Sequence, residues 1–282
     1  MVTIDNSCFS IPQICQSGQC FRLDAVSEDT YELLAGGRYL KIRLRPAGPA
    51  SERGKPDVYG ETELYCTQEE YEKFWKEYFD LTASYEDYID RIDEADSYLK
   101  AAAEFGRGIR ILRQDTWEMI VTFILSQQNN IPRIKGLIRA LSERYGERRM
   151  TPDGGVYYTF PDAGALSRAS EEELRELKLG YRSKYICGTA RMISEKEIDL
   201  EVLKTADYAD ARAELMRLPG IGGKVADCIC LFALHQMDAF PVDTHIKKAL
   251  ELHYPDGFPF EKYKDCAGVM QQYIFYYDLK YR

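Results

Sequence analysis

A lysine in the first turn of a helix is a poor structural choice, and residues 215–250 contain one. A helix ending near Arg217 runs into Leu218-Pro219-Gly220-Ile221-Gly222-Gly223, and a second helix begins at Lys224-Val225-Ala226-Asp227-Cys228. Pro219 stops the first helix, while the glycines permit positive φ and close backbone approach. Ile221 anchors the turn, and the amides that follow it form a site suited to phosphate. Taken alone, such a turn is equally an ordinary connection between helices. Lys224 shifts the balance: the positive end of the helix macrodipole disfavours an ammonium there, which favours the amine form that a nucleophile needs. Downstream, Asp243 in Pro241-Val242-Asp243 precedes another apolar-periodic helix. It reads as an N-cap, and a carboxylate held there also suits stabilisation of positive charge developing on a sugar.

The elements that must position these groups fall into two parts. Up to about residue 65, short alternating runs such as Thr30 to Leu34 and Tyr39 to Leu44, separated by Gly36-Gly37 and Pro46, predict antiparallel strands joined by tight turns. From Thr67 the apolar period becomes helical, over Gln68 to Tyr78, Tyr85 to Ala103, Thr116 to Arg144, Ser170 to Leu177, Lys184 to Glu195 and Asp207 to Arg217. The expected class is α+β and predominantly helical. The expected domains are a β-rich part with acidic helical segments over 1–97 and a helical core of two subdomains over 98–282, with the N-terminal part packing on the C-terminal helix. The polar stretch from Pro46 to Asp57 predicts a surface loop.

Composition narrows the setting. The 282 residues are 45% hydrophobic, enough for a sizeable core. The N-terminus has neither a basic flank nor an apolar run, and no stretch approaches the roughly 18 apolar residues of a bilayer span. Neither secretion nor a membrane partner is expected. The eight cysteines are scattered, which suits reduced thiols. Only Cys266 follows Cys230, so no four-cysteine cluster for iron and sulfur is available near the C-terminus, and no metal site is expected. The net charge of −9 argues against a nucleic-acid partner until it is located. Residues 57–96 carry 14 acidic and 3 basic side chains, so the remainder of the chain is slightly basic. Arg133, Lys135, Arg139, Arg144, Arg148 and Arg149 stand at spacings that suit a helix face.

The hairpin, together with Pro241-Val242-Asp243, resembles the helix-hairpin-helix, Gly/Pro-Asp superfamily of DNA glycosylases, and specifically its 8-oxoguanine branch. The resemblance extends to Ser17-Gly18-Gln19-Cys20-Phe21-Arg22, Leu112-Arg113-Gln114-Asp115, the segment from Phe123 to Arg133 and Leu179-Gly180-Tyr181-Arg182. It therefore covers nearly the whole chain.

What it implies is a bifunctional enzyme acting on 8-oxoguanine in double-stranded DNA. Lys224 would attack the sugar C1′ with assistance from Asp243, and the resulting imine would permit β-elimination. The acceptor for the N7 proton that marks the oxidised base maps onto the Gly18 carbonyl, where one hydrogen bond discriminates by about 1–3 kcal/mol. Gln271 matches the reader of the Watson–Crick edge, Phe275 the stacking aromatic and Cys228 the cover on the other side of the base. Tyr181 matches the wedge, Arg133 and Arg182 the partners of the orphaned cytosine, and His245 a backbone contact beside the hairpin glycines Gly220 and Gly222. Gln128 stands where the best-known members have asparagine, which puts opposite-base preference in doubt. The family requires no cofactor, although hairpin carbonyls can hold a monovalent cation. A monomer is expected, in the cytoplasm or nucleoid of a bacterium or archaeon or in a eukaryotic nucleus. Two other readings stay open on sequence: a monofunctional alkylpurine glycosylase of the same fold and a non-catalytic DNA-binding scaffold.

Overall fold

The computed structural model describes residues 1–5, 8–46 and 59–281; residues 47–57 of the expected surface loop lie outside this set. Strands β1 (Val2–Asp5), β2 (Leu23–Ala25), β3 (Thr30–Ala35), β4 (Arg38–Pro46) and β5 (Tyr59–Leu64) form one sheet in the order β1-β5-β4-β3-β2. A second, two-stranded sheet pairs β6 (Arg148–Met150) with β7 (Val156–Tyr158). The helices of eight residues or more are α1 (Ser97–Phe105), α2 (Thr116–Ser126), α3 (Ile131–Tyr145), α4 (Arg182–Ser194), α5 (Tyr208–Leu215), α6 (Gly223–Phe232), α7 (Thr244–His253) and α8 (Ala267–Tyr281). The fold is α+β and mainly helical. Two compact units divide the chain out of sequence order: residues 1–33, 40–113 and 237–282 form the first, and 34–39 with 114–236 form the second. Among the described residues no helix is long and apolar enough to cross a membrane.

The five-stranded sheet obeys the period-2 rule. Tyr31 and Leu33 on β3 and Leu40, Ile42 and Leu44 on β4 are buried, while their neighbours are half-exposed. Gly36 and Gly37, both at positive φ, make the tight β3–β4 turn that the alternation predicts. In the first unit α8 is buried along Ala267–Ile274 and packed on α1 and α7. Its Gln272 donates to the Ser17 carbonyl, which fastens the C-terminal helix to the N-terminal segment. Beside it is a polar knot: Asp80, buried, accepts from Tyr85 at 3.0 Å and from Arg113 at 3.1 Å, and Arg110 donates to the carbonyls of Cys8, Asp80 and Ala83. Burial pushes the Cys8 and Cys266 thiols up to about 11, which suits inert core fillers.

The second unit is organised around α2, buried over Thr116–Leu125 and in contact with α3, α4 and α6. Three helical expectations are corrected here and in the first unit. Thr116 to Arg144 is not one helix but α2 and α3, broken at 127–130, where Asn130 caps α3 and Pro132 occupies its first turn. Tyr85 to Ala103 likewise divides into Tyr85–Asp90 and α1, with Asp96 capping the latter. Gln68 to Tyr78 contains a π turn over Tyr71–Trp75. Arg148 and Arg149, expected on a helix face with the other basic residues, lie instead on β6, because α3 ends at Gly146. A Cβ at Gly146 would stand 2.0 Å from the Thr159 carbonyl oxygen, so only glycine allows the chain to turn there.

Candidate active site

In the second unit, α5 and α6 are the two arms of the hairpin. Leu218 and Ile221 are buried and the Ile221 amide bonds the Leu218 carbonyl at 3.1 Å, closing the turn. Gly220 has φ +81, and a Cβ on it would meet the Tyr185 ring at 2.6 Å; the position needs glycine for both reasons. Gly222 caps α6 without a side-chain oxygen, so the amides of the first turn are left to an outside acceptor. An anion fits there.

Lys224 is the second residue of α6 and is exposed. Its Nζ lies 6.0 Å from the centroid of the Phe123 ring, which itself stacks on Phe232 at 5.7 Å. One turn further along, Cys228 is buried. Behind the lysine the helix is fixed by a group that sequence reading missed: Arg212 Nε donates to Asp227 Oδ1 at 2.7 Å and Tyr208 donates to the same oxygen at 2.8 Å. The carboxylate and burial together push the Tyr208 hydroxyl well up, with burial the larger cause. Gly223 makes room for this pair, since a Cβ on it would stand 2.4 Å from Arg212 Nη2.

The same unit carries the residues matched to the orphaned base. Gln128 is exposed, with a left-handed backbone at φ +50. Tyr181 is 42% exposed and Arg133 stands exposed in the first turn of α3. Arg182, matched to a partner of the orphaned cytosine, is 5% exposed, lies over the Tyr181 ring at 4.6 Å, and donates to the Gln127 carbonyl through Nε at 3.2 Å and also through Nη2.

In the first unit a second constellation forms. Asp243 caps α7, and its Oδ1 accepts from the amides of His245 at 2.9 Å and Ile246 at 2.8 Å. His245 Nδ1 lies 3.3 Å from Asp278 Oδ2, and its ring meets Phe275 edge-on at 6.1 Å. Gln271 is 4% exposed; its Nε2 donates to the Pro241 carbonyl at 3.1 Å while Oε1 has no partner among the described residues. A buried acceptor held in this way is costly unless something supplies a donor. Gly18 has φ +74, and a Cβ there would stand 3.2 Å from Phe275 Cε1. Its neighbours are immobilised: Gln19 donates to Ser17 Oγ and the Arg110 carbonyl, both at 3.0 Å, and accepts from the Leu112 amide at 2.9 Å. The first unit thus brings Gly18, Phe275 and His245 to one place, with Gln271 one turn from Phe275. Among the described residues no group of three or more histidine, cysteine or acidic side chains could hold a metal ion.

Comparison with known proteins accords with this layout. Residues 1–120 match the N-terminal domain family of 8-oxoguanine DNA glycosylase, and residues 121–257 match the HhH-GPD superfamily of base excision DNA repair proteins. The N-glycosylase/DNA lyase of Saccharomyces cerevisiae is 41% identical over 52% of this chain and 42% of its own length. The N-glycosylase/DNA lyase of Arabidopsis thaliana is 33% identical over 84% of this chain and 64% of its own. The chain thus spans less than two thirds of these two curated relatives. A crystal structure of the Clostridium acetobutylicum 8-oxoguanine glycosylase/lyase, in complex with double-stranded DNA containing cytosine opposite 8-oxoG, superposes with a TM-score of 0.86 and 34% identity, over 97% of this chain and 92% of that one.

Proposed function

Because the chain belongs to the 8-oxoguanine DNA glycosylase family of the HhH-GPD superfamily, we propose that it excises 8-oxoguanine from duplex DNA and then nicks the strand as a lyase. The observation that carries this reading is Lys224: an exposed amine in the first turn of α6, behind a glycine hairpin suited to phosphate, where nothing structural calls for a lysine. Its Nζ lone pair forms the bond to C1′ as the glycosidic bond breaks and the base leaves with its electron pair and a proton. Asp243 contributes negative charge while the sugar is cationic. The aminal nitrogen then loses a proton and opens the sugar ring to an imine. Removal of a C2′ proton breaks the C3′–O bond and releases the 3′ strand.

Recognition rests on the first-unit constellation. Phe275 offers a ring face, Gln271 Oε1 accepts from the N–H groups on the purine's Watson–Crick edge, and the Gly18 carbonyl accepts the N7 proton that guanine lacks. Stack filling and the orphaned cytosine fall to Gln128, Tyr181, Arg133 and Arg182, with His245, Gly220 and Gly222 on the backbone. No cofactor enters the chemistry. A monovalent cation on second lone pairs of the hairpin carbonyls is compatible with the bonds they already accept from Ile221, Thr189 and Gln127. The protein would act as a monomer wherever genomic DNA lies: cytoplasm, nucleoid or nucleus.

Borohydride trapping on an 8-oxoguanine duplex tests the mechanism directly. Wild type is expected to form a covalent adduct and Lys224→Ala none. Excision of an alkylated purine, with no adduct and no action on 8-oxoguanine, would return the monofunctional alkylpurine reading, and binding without excision the scaffold; two relatives more than 30% identical to this chain and matched over most of it are named as glycosylase/lyases, which favours neither.

A further inference from the structure

The three parts of the second unit assigned to DNA converge on one residue that has no assigned role. Gln127 ends α2 and begins the 127–130 break. Its side-chain Nε2 donates to the Gly220 carbonyl of the hairpin at 2.9 Å, a link between residues 93 apart in sequence. Its own carbonyl accepts Arg182 Nε at 3.2 Å and a second bond from Nη2, and Tyr181 Oη lies 3.5 Å away. Arg182 Nη2 also reaches the Gln128 carbonyl at 3.3 Å, so the same guanidinium holds the left-handed backbone of Gln128. In that conformation the glutamine Cβ crowds its carbonyl oxygen, and asparagine or glycine would adopt it more readily. The clamp therefore has something to hold.

We propose that Gln127 is a positioning residue that couples the hairpin's grip on the DNA backbone to insertion of Gln128 and Tyr181 into the stack. This rests on the function proposed above. The two halves of the coupling are chemically distinct. Any residue supplies the carbonyl that Arg182 holds, whereas only a side chain of this length with an N–H donor reaches Gly220. A carboxylate of the same shape would oppose the Gly220 carbonyl acceptor to acceptor. Movement of the hairpin onto a phosphate then displaces the loop that carries Gln128, and the two binding events become cooperative.

The test uses Gln127→Ala and Gln127→Glu in the full chain. Single-turnover excision and the fluorescence of 2-aminopurine beside the lesion report flipping; affinity for undamaged duplex and thermal midpoint report the rest. Both variants are expected to slow flipping and excision by about 3- to 10-fold, the size of one lost hydrogen bond, with undamaged-duplex affinity within about 2-fold of wild type. Gln127→Glu fills the same space, so a merely structural side chain would tolerate it. The decisive measurement is the double-mutant cycle with Tyr181→Ala: coupling makes the Tyr181 effect smaller in the Gln127→Ala background. Effects that multiply, or a flipping rate unchanged in Gln127→Glu, overturn the proposal. If wild type fails to excise 8-oxoguanine, the functional reading falls while the coupling is still read: the same cycle is then run on affinity for a duplex with a tetrahydrofuran abasic analogue, where non-additivity supports it and additivity overturns it.

Discussion

Asp243 shows how one side chain serves two ends, and how they can be separated. As the N-cap of α7 it needs only an acceptor, because Oδ1 takes the His245 and Ile246 amides; as a partner for a cationic sugar it needs charge. Asparagine keeps the acceptor and loses the charge. Asp243→Asn is therefore expected to unfold at a denaturant midpoint close to wild type while single-turnover excision falls by roughly 100-fold or more. Asp243→Ala should lose as much activity and in addition about 1 kcal/mol of stability. If Asn retained full activity, the carboxylate would be a cap and nothing else. Gly18 makes a similar case from backbone geometry. At φ +74 an alanine costs roughly 1 kcal/mol, and its Cβ at 3.2 Å would push Phe275 aside. Gly18→Ala is expected to lower kcat/KM for 8-oxoguanine by more than it lowers stability, read by comparing excision with denaturation; a purely conformational glycine would lower stability alone.

At the scale of elements, the hairpin is held open at a fixed angle by a strut rather than by its turn alone. Arg212 and Tyr208 on α5 share Asp227 Oδ1 on α6, one turn beyond Lys224, and Gly223 leaves the space that the guanidinium occupies. The arginine is partly exposed and the carboxylate mostly buried, so losing the arginine leaves a charge with reduced compensation. Arg212→Met is expected to destabilise by roughly 1–3 kcal/mol in denaturant melts, and Gly223→Ala by less, because its Cβ displaces the same guanidinium but the end of that side chain can shift. If the two effects summed in the double variant, they would not act through one strut. What was legible in the sequence at this scale was whatever is encoded locally: the β3–β4 turn in Gly36-Gly37, the hairpin in its proline and glycines, the cap at Asp243. The strut was not legible, because Arg212 and Asp227 meet only once α5 and α6 are folded together. The break at 127–130 is hidden for another reason. Apolar periodicity continues from α2 into α3 on either side of it and masks the punctuation at Asn130 and Pro132. The two helices are distinct because Pro132 has no N–H to continue a helix from residue 128, and Asn130 caps α3 instead.

For the whole molecule the net charge poses the main physical problem, since under the function proposed above a chain at −9 must approach a polyanion. The charge is not shared between the two units: the second contains as many basic as acidic residues, so the entire excess belongs to the first. Within the first it is concentrated in residues 57–96, where Glu69, Glu72 and Asp93 pair with lysines, while Glu77, Asp87 and Asp90 are exposed and form no ion pair among the described residues. At low salt such charges act over tens of ångströms and repel any duplex, damaged or not; at physiological salt the range shrinks to about 8 Å. The repulsion thus weakens sequence-independent binding without touching the groups assigned to the lesion. Replacing Glu77, Asp87 and Asp90 with their amides is expected to tighten binding to undamaged duplex by about 3- to 10-fold at low ionic strength, and by much less at 0.5 M salt. Excision under single-turnover, saturating conditions should not change. Equal tightening at both salt concentrations would mean that the three carboxylates lie against the DNA and act at contact range, and a change in the saturated rate would mean that the acidic segment takes part in flipping.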